Sequence, residues 1–170
     1  MNKKKITVMA HGAMIAAIYA AATYLCAVFA IAYGNIQFRL SEALTILSVF
    51  TPAAIPGLTV GCILANISSP FGIWDIVFGS LATLLAAITA RALRNVKFKE
   101  FPILSLIMPV IFNALIVGAE LTFLLPTDKT KLITFVIYAF EVGVGELAVC
   151  VAGGIPLYYA VRKSKIFDRL

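Results

Sequence analysis

The sequence is dominated by apolar runs that are long enough to cross a lipid bilayer. The first covers residues 8–32 and contains no aspartate, glutamate, lysine or arginine. A transmembrane helix needs about 20 mainly apolar residues. The whole chain is 62% hydrophobic and 13% charged, whereas a soluble domain is nearer half apolar and a quarter charged. The sequence therefore predicts an all-α integral membrane protein with one membrane domain over residues 1–170. The first run is too long for the apolar region of a signal peptide, so we do not expect it to be cleaved.

Polar breaks divide the apolar sequence into six predicted transmembrane helices. The second and third, over residues 40–50 and 53–67, are shorter than the roughly 20 residues that a spanning helix needs. We therefore expect these two helices to be tilted, broken or partly re-entrant. The other four are predicted over residues 7–32, 73–93, 101–125 and 131–161.

The basic residues are distributed unevenly among the polar breaks. Eleven of the fourteen lysines and arginines lie in the N-terminal head, in the 91–100 loop and in the C-terminal tail. The positive-inside rule therefore predicts a multi-pass protein of the cell membrane, with both termini and this loop in the cytoplasm. Because the net charge of +6 is concentrated in these short segments, it does not indicate a nucleic-acid partner.

Several polar side chains interrupt the apolar segments, where a charged group is costly unless it faces a cavity or a partner. Asn113 and Glu120 are seven residues apart and share one face of a helix. Tyr138 and Glu141 are three apart on the next helix. We predict that such residues form an acidic cup that opens outward and binds a flat, polar solute able to carry positive charge. The predicted cup contains Arg39, Glu42, Trp74, Asp75, Asn113, Glu120, Tyr138 and Glu141, with Tyr33 and Phe38 as further stacking surfaces.

Internal ion pairing is the alternative interpretation of these acids. Glu42 is the acid most expected to pair, because it lies three residues after Arg39. Ser41 is the predicted N-cap of the helix that begins there. Glu146 lies deepest in its segment and could support helix packing instead of binding a solute.

The sequence lacks the motifs of the common enzyme classes. It contains no Walker A loop, no HExxH and no GxSxG, and it has a single histidine. The three cysteines are far apart and each lies in an apolar run, which favours small buried residues over a metal site or a disulfide. We therefore expect no catalytic residues, no metal and no cofactor.

Small residues form stripes that allow close helix packing in lipid. Gly57 and Gly61 have the GxxxG spacing. The first helix carries an alanine stripe that either packs inside this protein or docks another membrane protein. This alanine stripe consists of Ala13, Ala17 and Ala21, and Ala16 and Ala20 form a neighbouring stripe.

The segments YGNIQFRLSEALTILSVFTPAAIPGLTVGCILANI and WDIVFGSLATLLAA resemble the QueT family. Members of this family are substrate-binding S components of energy-coupling-factor (ECF) transporters and are proposed to import queuosine precursors. The resemblance implies a six-helix S-component-like fold with an outward-facing site for a deazaguanine-type base, such as queuine or its aminomethyl precursor. It also implies a transmembrane coupling subunit and two cytoplasmic ATPases as partners, with the docking surface on Ala13, Ala17 and Ala21 or, in the alternative register, on Ala16 and Ala20.

A self-sufficient, proton-coupled secondary transporter for a small polar or purine-like solute is the alternative hypothesis. In that case Glu120, Glu141 or Glu146 would carry protons. The absence of a clear internal repeat argues against a transporter that is built from paired repeats.

Overall fold

A computed structural model of the chain describes residues 3–29, 32, 38–164 and 166–167. Within these residues every regular element is helical, which confirms the predicted all-α class. The elements are α1 (Lys3–Val28), a 3-10 helix (Leu40–Val49), α2 (Ala54–Asn66), α3 (Ile73–Ala92), α4 (Ile103–Leu124), α5 (Lys131–Val149), a π-helical segment (Cys150–Gly154) and α6 (Ile155–Ser164).

Four helical stretches of the described chain are long and apolar enough to cross a membrane: Lys5–Val28, Ile73–Ala92, Ile103–Leu124 and Lys131–Ser164. The last stretch is a continuous rod, because α6 follows α5 through the π-helical segment. The 3-10 helix and α2 are shorter, as predicted. Counting the rod as one helix gives the six helices expected from the sequence.

The second helix differs from the prediction in its type and in its N-terminus. Leu40–Val49 is a 3-10 helix, which rises about 2.0 Å per residue compared with about 1.5 Å for an α-helix. Its ten residues therefore span about 20 Å instead of about 15 Å. Arg39 is the N-cap and makes no side-chain capping bond, so the predicted cap at Ser41 is wrong. The Ser41 hydroxyl instead accepts a hydrogen bond of 2.7 Å from Thr23 Oγ1 on α1.

The GxxxG face of α2 packs directly against the backbone of α1. A Cβ atom at Gly57 would lie 2.6 Å from the carbonyl oxygen of Gly12, and one at Gly61 would lie 2.9 Å from that of Ala16. Side chains at either glycine would therefore force the helices apart, which confirms the predicted packing role of this motif. Residue numbers rise together in these two contacts, so α1 and α2 run parallel.

Helices α4 and α5 also approach closely, but they run in opposite directions. A Cβ atom at Gly118 would lie 2.8 Å from Ala139 Cα, and one at Gly143 would lie 3.5 Å from Ala114 Cβ. This register places Asn113 near the level of residue 144 and Glu120 near the level of residue 137. The end of α4 that carries Glu120 is thus the end at which α5 begins.

Candidate ligand-binding site

The helices enclose a set of polar side chains that are almost completely inaccessible to solvent. We refer to them as the interior cluster, and each is at most 5% exposed. Its members come from four helices and one helix cap, so the cluster forms only when the helices pack together. These elements are the 3-10 helix with its N-cap residue, α3, α4 and α5. Its residues are Arg39, Glu42, Asp75, Asn113, Glu120 and Glu146.

Arg39 and Asp75 form a buried salt bridge at one end of the interior cluster. Arg39 Nη2 lies 3.2 Å from Asp75 Oδ2, and Ser69 Oγ donates a hydrogen bond to the same oxygen. Arg39 Nε also donates to the carbonyl oxygen of Ala32 at 3.1 Å. The Asn66 side chain donates to the Asp75 carbonyl oxygen at 2.8 Å. These contacts tie together the start of the 3-10 helix, the end of α2 and the start of α3.

The predicted internal ion pairing occurs at Asp75, whereas the prediction that Glu42 pairs with Arg39 is wrong. Arg39 precedes the helix in an extended conformation, with φ −89° and ψ 94°, and its side chain therefore does not continue the helical face of Glu42. Glu42 instead accepts hydrogen bonds from three hydroxyl groups. The donors are Tyr19 on α1, Thr83 on α3 at 3.1 Å and Thr45 at 3.3 Å.

Many polar atoms of the cluster have no hydrogen-bond partner. Asn113 Nδ2, both carboxyl oxygens of Glu120, Asp75 Oδ1 and Glu146 Oε2 are buried and have no hydrogen-bond partner when the acids are ionised. The carboxyl groups of Glu120 and Asp75 lie close enough to share a hydrogen bond when one of them carries a proton. Glu141 Oε2, on the same helix as Glu146, is also unpaired. Buried polar groups are almost always hydrogen-bonded, so this concentration of unpaired atoms indicates a place for a ligand or water. Its excess of carboxylate oxygens suits a ligand that is rich in N–H donors.

Trp74, one of the aromatic residues predicted for the cup, lies outside the interior cluster. Trp74 is 51% exposed and stacks on Phe78 with a centroid separation of 6.0 Å. Both line a groove of about 660 Å³ between α3 and α4, which also contains Phe123 and Glu120. Glu120 is therefore the residue that connects this groove with the interior cluster.

The remaining predicted residues occupy peripheral or undescribed positions. Tyr138 and Glu141 are partly buried on α5, and Phe38 is exposed. Tyr33 lies outside the described residues. Five side chains that donate hydrogen bonds to the cluster were not predicted, namely Tyr19, Thr45, Asn66, Ser69 and Thr83. Nothing in a single sequence distinguishes a hydroxyl or amide that supports a buried acid from one that bonds its own helix.

Replacement of Tyr19 by phenylalanine is expected to lower the free energy of unfolding by about 1.5–3 kcal/mol, because it removes a hydroxyl donor from the buried Glu42 carboxylate. Equilibrium unfolding in mixed detergent micelles would measure this loss. Tyr24→Phe is the matched control on the same helix. Its hydroxyl donates to the carbonyl of Leu64 at a more exposed position, so its effect should be smaller. Equal effects of the two substitutions would contradict a special role for Tyr19.

Comparison with known proteins identifies sequences that are similar to this chain. The queuosine precursor transporter QueT of Lactococcus lactis subsp. cremoris strain MG1363 is 38% identical to this chain over 85 residues. That alignment covers 50% of this chain and 50% of the relative, so the match spans about half the length of the curated relative. No solved structure matches the chain. The profile of the QueT transporter family matches residues 9–163, and the chain therefore belongs to this family.

Proposed function

We propose that this chain is the substrate-binding membrane subunit of an ECF-type importer and that it captures a queuosine precursor from outside the cell. The observation that carries this proposal is the interior cluster, in which buried and unpaired polar atoms converge within a member of the QueT transporter family. The substrate class comes from the family and from the name of the Lactococcus relative. The buried polar atoms without partners support the interior cluster as the proposed binding site.

A deazaguanine base matches the donor and acceptor pattern of α4. Its ring N–H and its amino group lie side by side and can donate together to one carboxylate. Glu120 offers two unpaired carboxylate oxygens for this pair of donors. The base also carries a carbonyl oxygen, which can accept from the unpaired Nδ2 of Asn113. Trp74 and Phe78 lie beside Glu120 and offer an aromatic surface for the flat ring.

Import also requires an energy source, and the chain has no ATP-binding motif. We therefore propose a transmembrane coupling subunit and two cytoplasmic ATPases as partners, with both termini of this chain in the cytoplasm. The proposed docking surface is the alanine stripe on α1. Its support is that Ala13, Ala17 and Ala21 are exposed, whereas Ala16 and Ala20 are buried.

A proton-coupled secondary transporter is the second candidate. The observation that favours it is that Glu120, Glu141 and Glu146 each have a buried carboxylate oxygen without a partner, as expected of groups that exchange protons. Uptake by vesicles that contain only this protein and a proton gradient would support this candidate. Uptake that depends on added ATPase and coupling subunits would support the importer.

Titration calorimetry of the purified protein with queuine, its aminomethyl and cyano precursors and guanine tests the proposed function. We expect Glu120→Gln to weaken binding of the preferred base by about 10- to 100-fold, because it removes a charge-assisted hydrogen bond of about 1.5–3 kcal/mol. Asn113→Ala should weaken binding by about 5- to 100-fold, because it leaves the buried carbonyl oxygen of the base without a donor at a cost of about 1–3 kcal/mol. Glu100→Gln is the control, since Glu100 is exposed and pairs with Arg162 at the opposite end of the bundle. Unchanged affinity in both α4 variants would remove this face from the site, and failure of every base to bind would contradict the proposal.

A further inference from the structure

Glu146 occupies a distinctive position within the interior cluster. It is 1% exposed, and its Oε2 atom accepts no hydrogen bond. This degree of burial places the carboxyl group in the protein interior and not on the lipid-facing surface. The helix changes to π geometry from Cys150 onward, where the Cys150 N–H donates to the carbonyl oxygens of both Glu146 and Leu147. Such π-helical turns within α-helices occur frequently at functional sites.

Within the described residues, the interior cluster contains four carboxyl groups, on Glu42, Asp75, Glu120 and Glu146, and one cationic side chain, Arg39. The salt bridges of the described residues join Arg39 to Asp75 and Arg162 to Glu100. Glu42 is surrounded by neutral hydroxyl donors, and neither Glu120 nor Glu146 forms a salt bridge within the described chain. A buried carboxylate without a cationic partner is strongly disfavoured, so a positively charged group on the ligand would stabilise the occupied site.

The α4–α5 register separates the two unpaired glutamates along the bundle. Glu120 lies near the level of residue 137, which is nine residues before Glu146. This corresponds to about 13 Å along the helix axis at about 1.5 Å per residue, and side chains that reach toward each other shorten the gap. Asn113 lies at an intermediate level, so a ligand held by Glu120 and Asn113 would extend toward Glu146.

We propose that Glu146 is a specificity-determining residue that binds a protonated amine on the ligand, so that the site selects amine-bearing deazaguanine bases over uncharged ones. This inference rests on the proposed function. The ring edge would be read by Glu120 and Asn113, and the ammonium group on the substituent would form a charge-assisted hydrogen bond with the unpaired Oε2 of Glu146.

Comparison of two ligands of nearly equal size tests the effect of the substituent's charge while its shape stays nearly constant. One is the aminomethyl-deazaguanine base, and the other is the hydroxymethyl analogue, in which a neutral hydroxyl replaces the ammonium. We expect the purified wild-type protein to bind the aminomethyl base about tenfold or more tightly in titration calorimetry, which is typical of a charge-assisted hydrogen bond. Equal affinity for the two bases would overturn the inference without any change to the protein.

The variant Glu146→Gln keeps the size of the side chain and removes its charge. We expect it to lose at least about tenfold in affinity for the aminomethyl base and to keep its affinity for the hydroxymethyl base within about threefold. Glu100→Gln should change neither affinity. An equal loss for both ligands would assign Glu146 to helix packing and overturn the inference while the proposed function stands. If wild type binds neither base nor any other deazaguanine, the proposed function itself fails.

Discussion

Replacement of Arg39 by methionine is expected to destabilise the protein by about 3–5 kcal/mol, because it leaves the Asp75 carboxylate as an unpaired buried charge. Arg39 is 2% exposed and Asp75 is 1% exposed, and their side chains are 3.2 Å apart. Methionine retains much of the volume and apolar contact of the arginine stem. The expected loss therefore comes from the charge and not from a cavity. Equilibrium unfolding in mixed detergent micelles would measure it.

Two further variants distinguish the charge effect from a general loss of packing. The double variant Arg39→Met/Asp75→Leu removes both charges and should recover most of the lost stability, since apolar residues can replace a buried ion pair at little cost. Arg162→Met breaks the exposed pair with Glu100, whose atoms are 2.8 Å apart, and should cost less than about 1 kcal/mol. A double variant as unstable as Arg39→Met would show that the charge of Asp75 is not the cause.

The sequence was sufficient to predict the helices because their signal is local. The length of an apolar run and the polar residues or prolines at its ends determine where a helix can cross a bilayer. The same reasoning identified the two short helices and the GxxxG contact of Gly57 and Gly61. It could not determine that Leu40–Val49 adopts 3-10 geometry, because tertiary contacts override the local preference for an α-helix.

The sequence did not predict which polar residues of different helices would pair in the interior cluster. Helical periodicity correctly groups residues within one helix, as it does for Asn113 and Glu120. It carries no information about which helices become neighbours. Within the described residues, the salt-bridge partner of Arg39 is Asp75, which is 36 residues away, and not Glu42, which is three residues away. The hydroxyl donors to Glu42 come from α1, α3 and its own helix. The ligand contacts assigned to Asn113, Glu120 and Glu141 stay predictions for the same reason.

The first helix presents two alanine stripes that differ in their surroundings. Ala16 is buried, and its backbone lies where a Cβ atom at Gly61 of α2 would clash. Ala17, the next residue, is exposed and belongs to the proposed docking stripe. Close packing of small residues replaces the missing hydrophobic driving force when helices associate in lipid. A large side chain at Ala16 would separate α1 from α2 within this protein. A large side chain at Ala17 would separate α1 from a docked partner.

The substitution Ala17→Trp is therefore expected to abolish uptake of the substrate in cells while the purified protein still folds and binds its ligand. The indole ring would hold the coupling subunit away from α1, and dispersion contacts weaken steeply with a gap of even about 1 Å. Because this chain has no ATP-binding motif, loss of the coupling subunit would stop import without affecting the ligand site. Co-purification with the coupling subunit, cellular uptake and titration calorimetry would together measure these effects.

The neighbouring substitution Ala16→Trp provides the matched control. It introduces the same side chain on the same helix but directs it against α2, so it should destabilise the isolated protein and reduce ligand binding as well as uptake. If Ala17→Trp still co-purifies with the coupling subunit and supports uptake, the exposed stripe is not the docking surface. If Ala17→Trp instead destroys ligand binding by the purified protein, this face of α1 supports the ligand site, and the coupling subunit docks elsewhere.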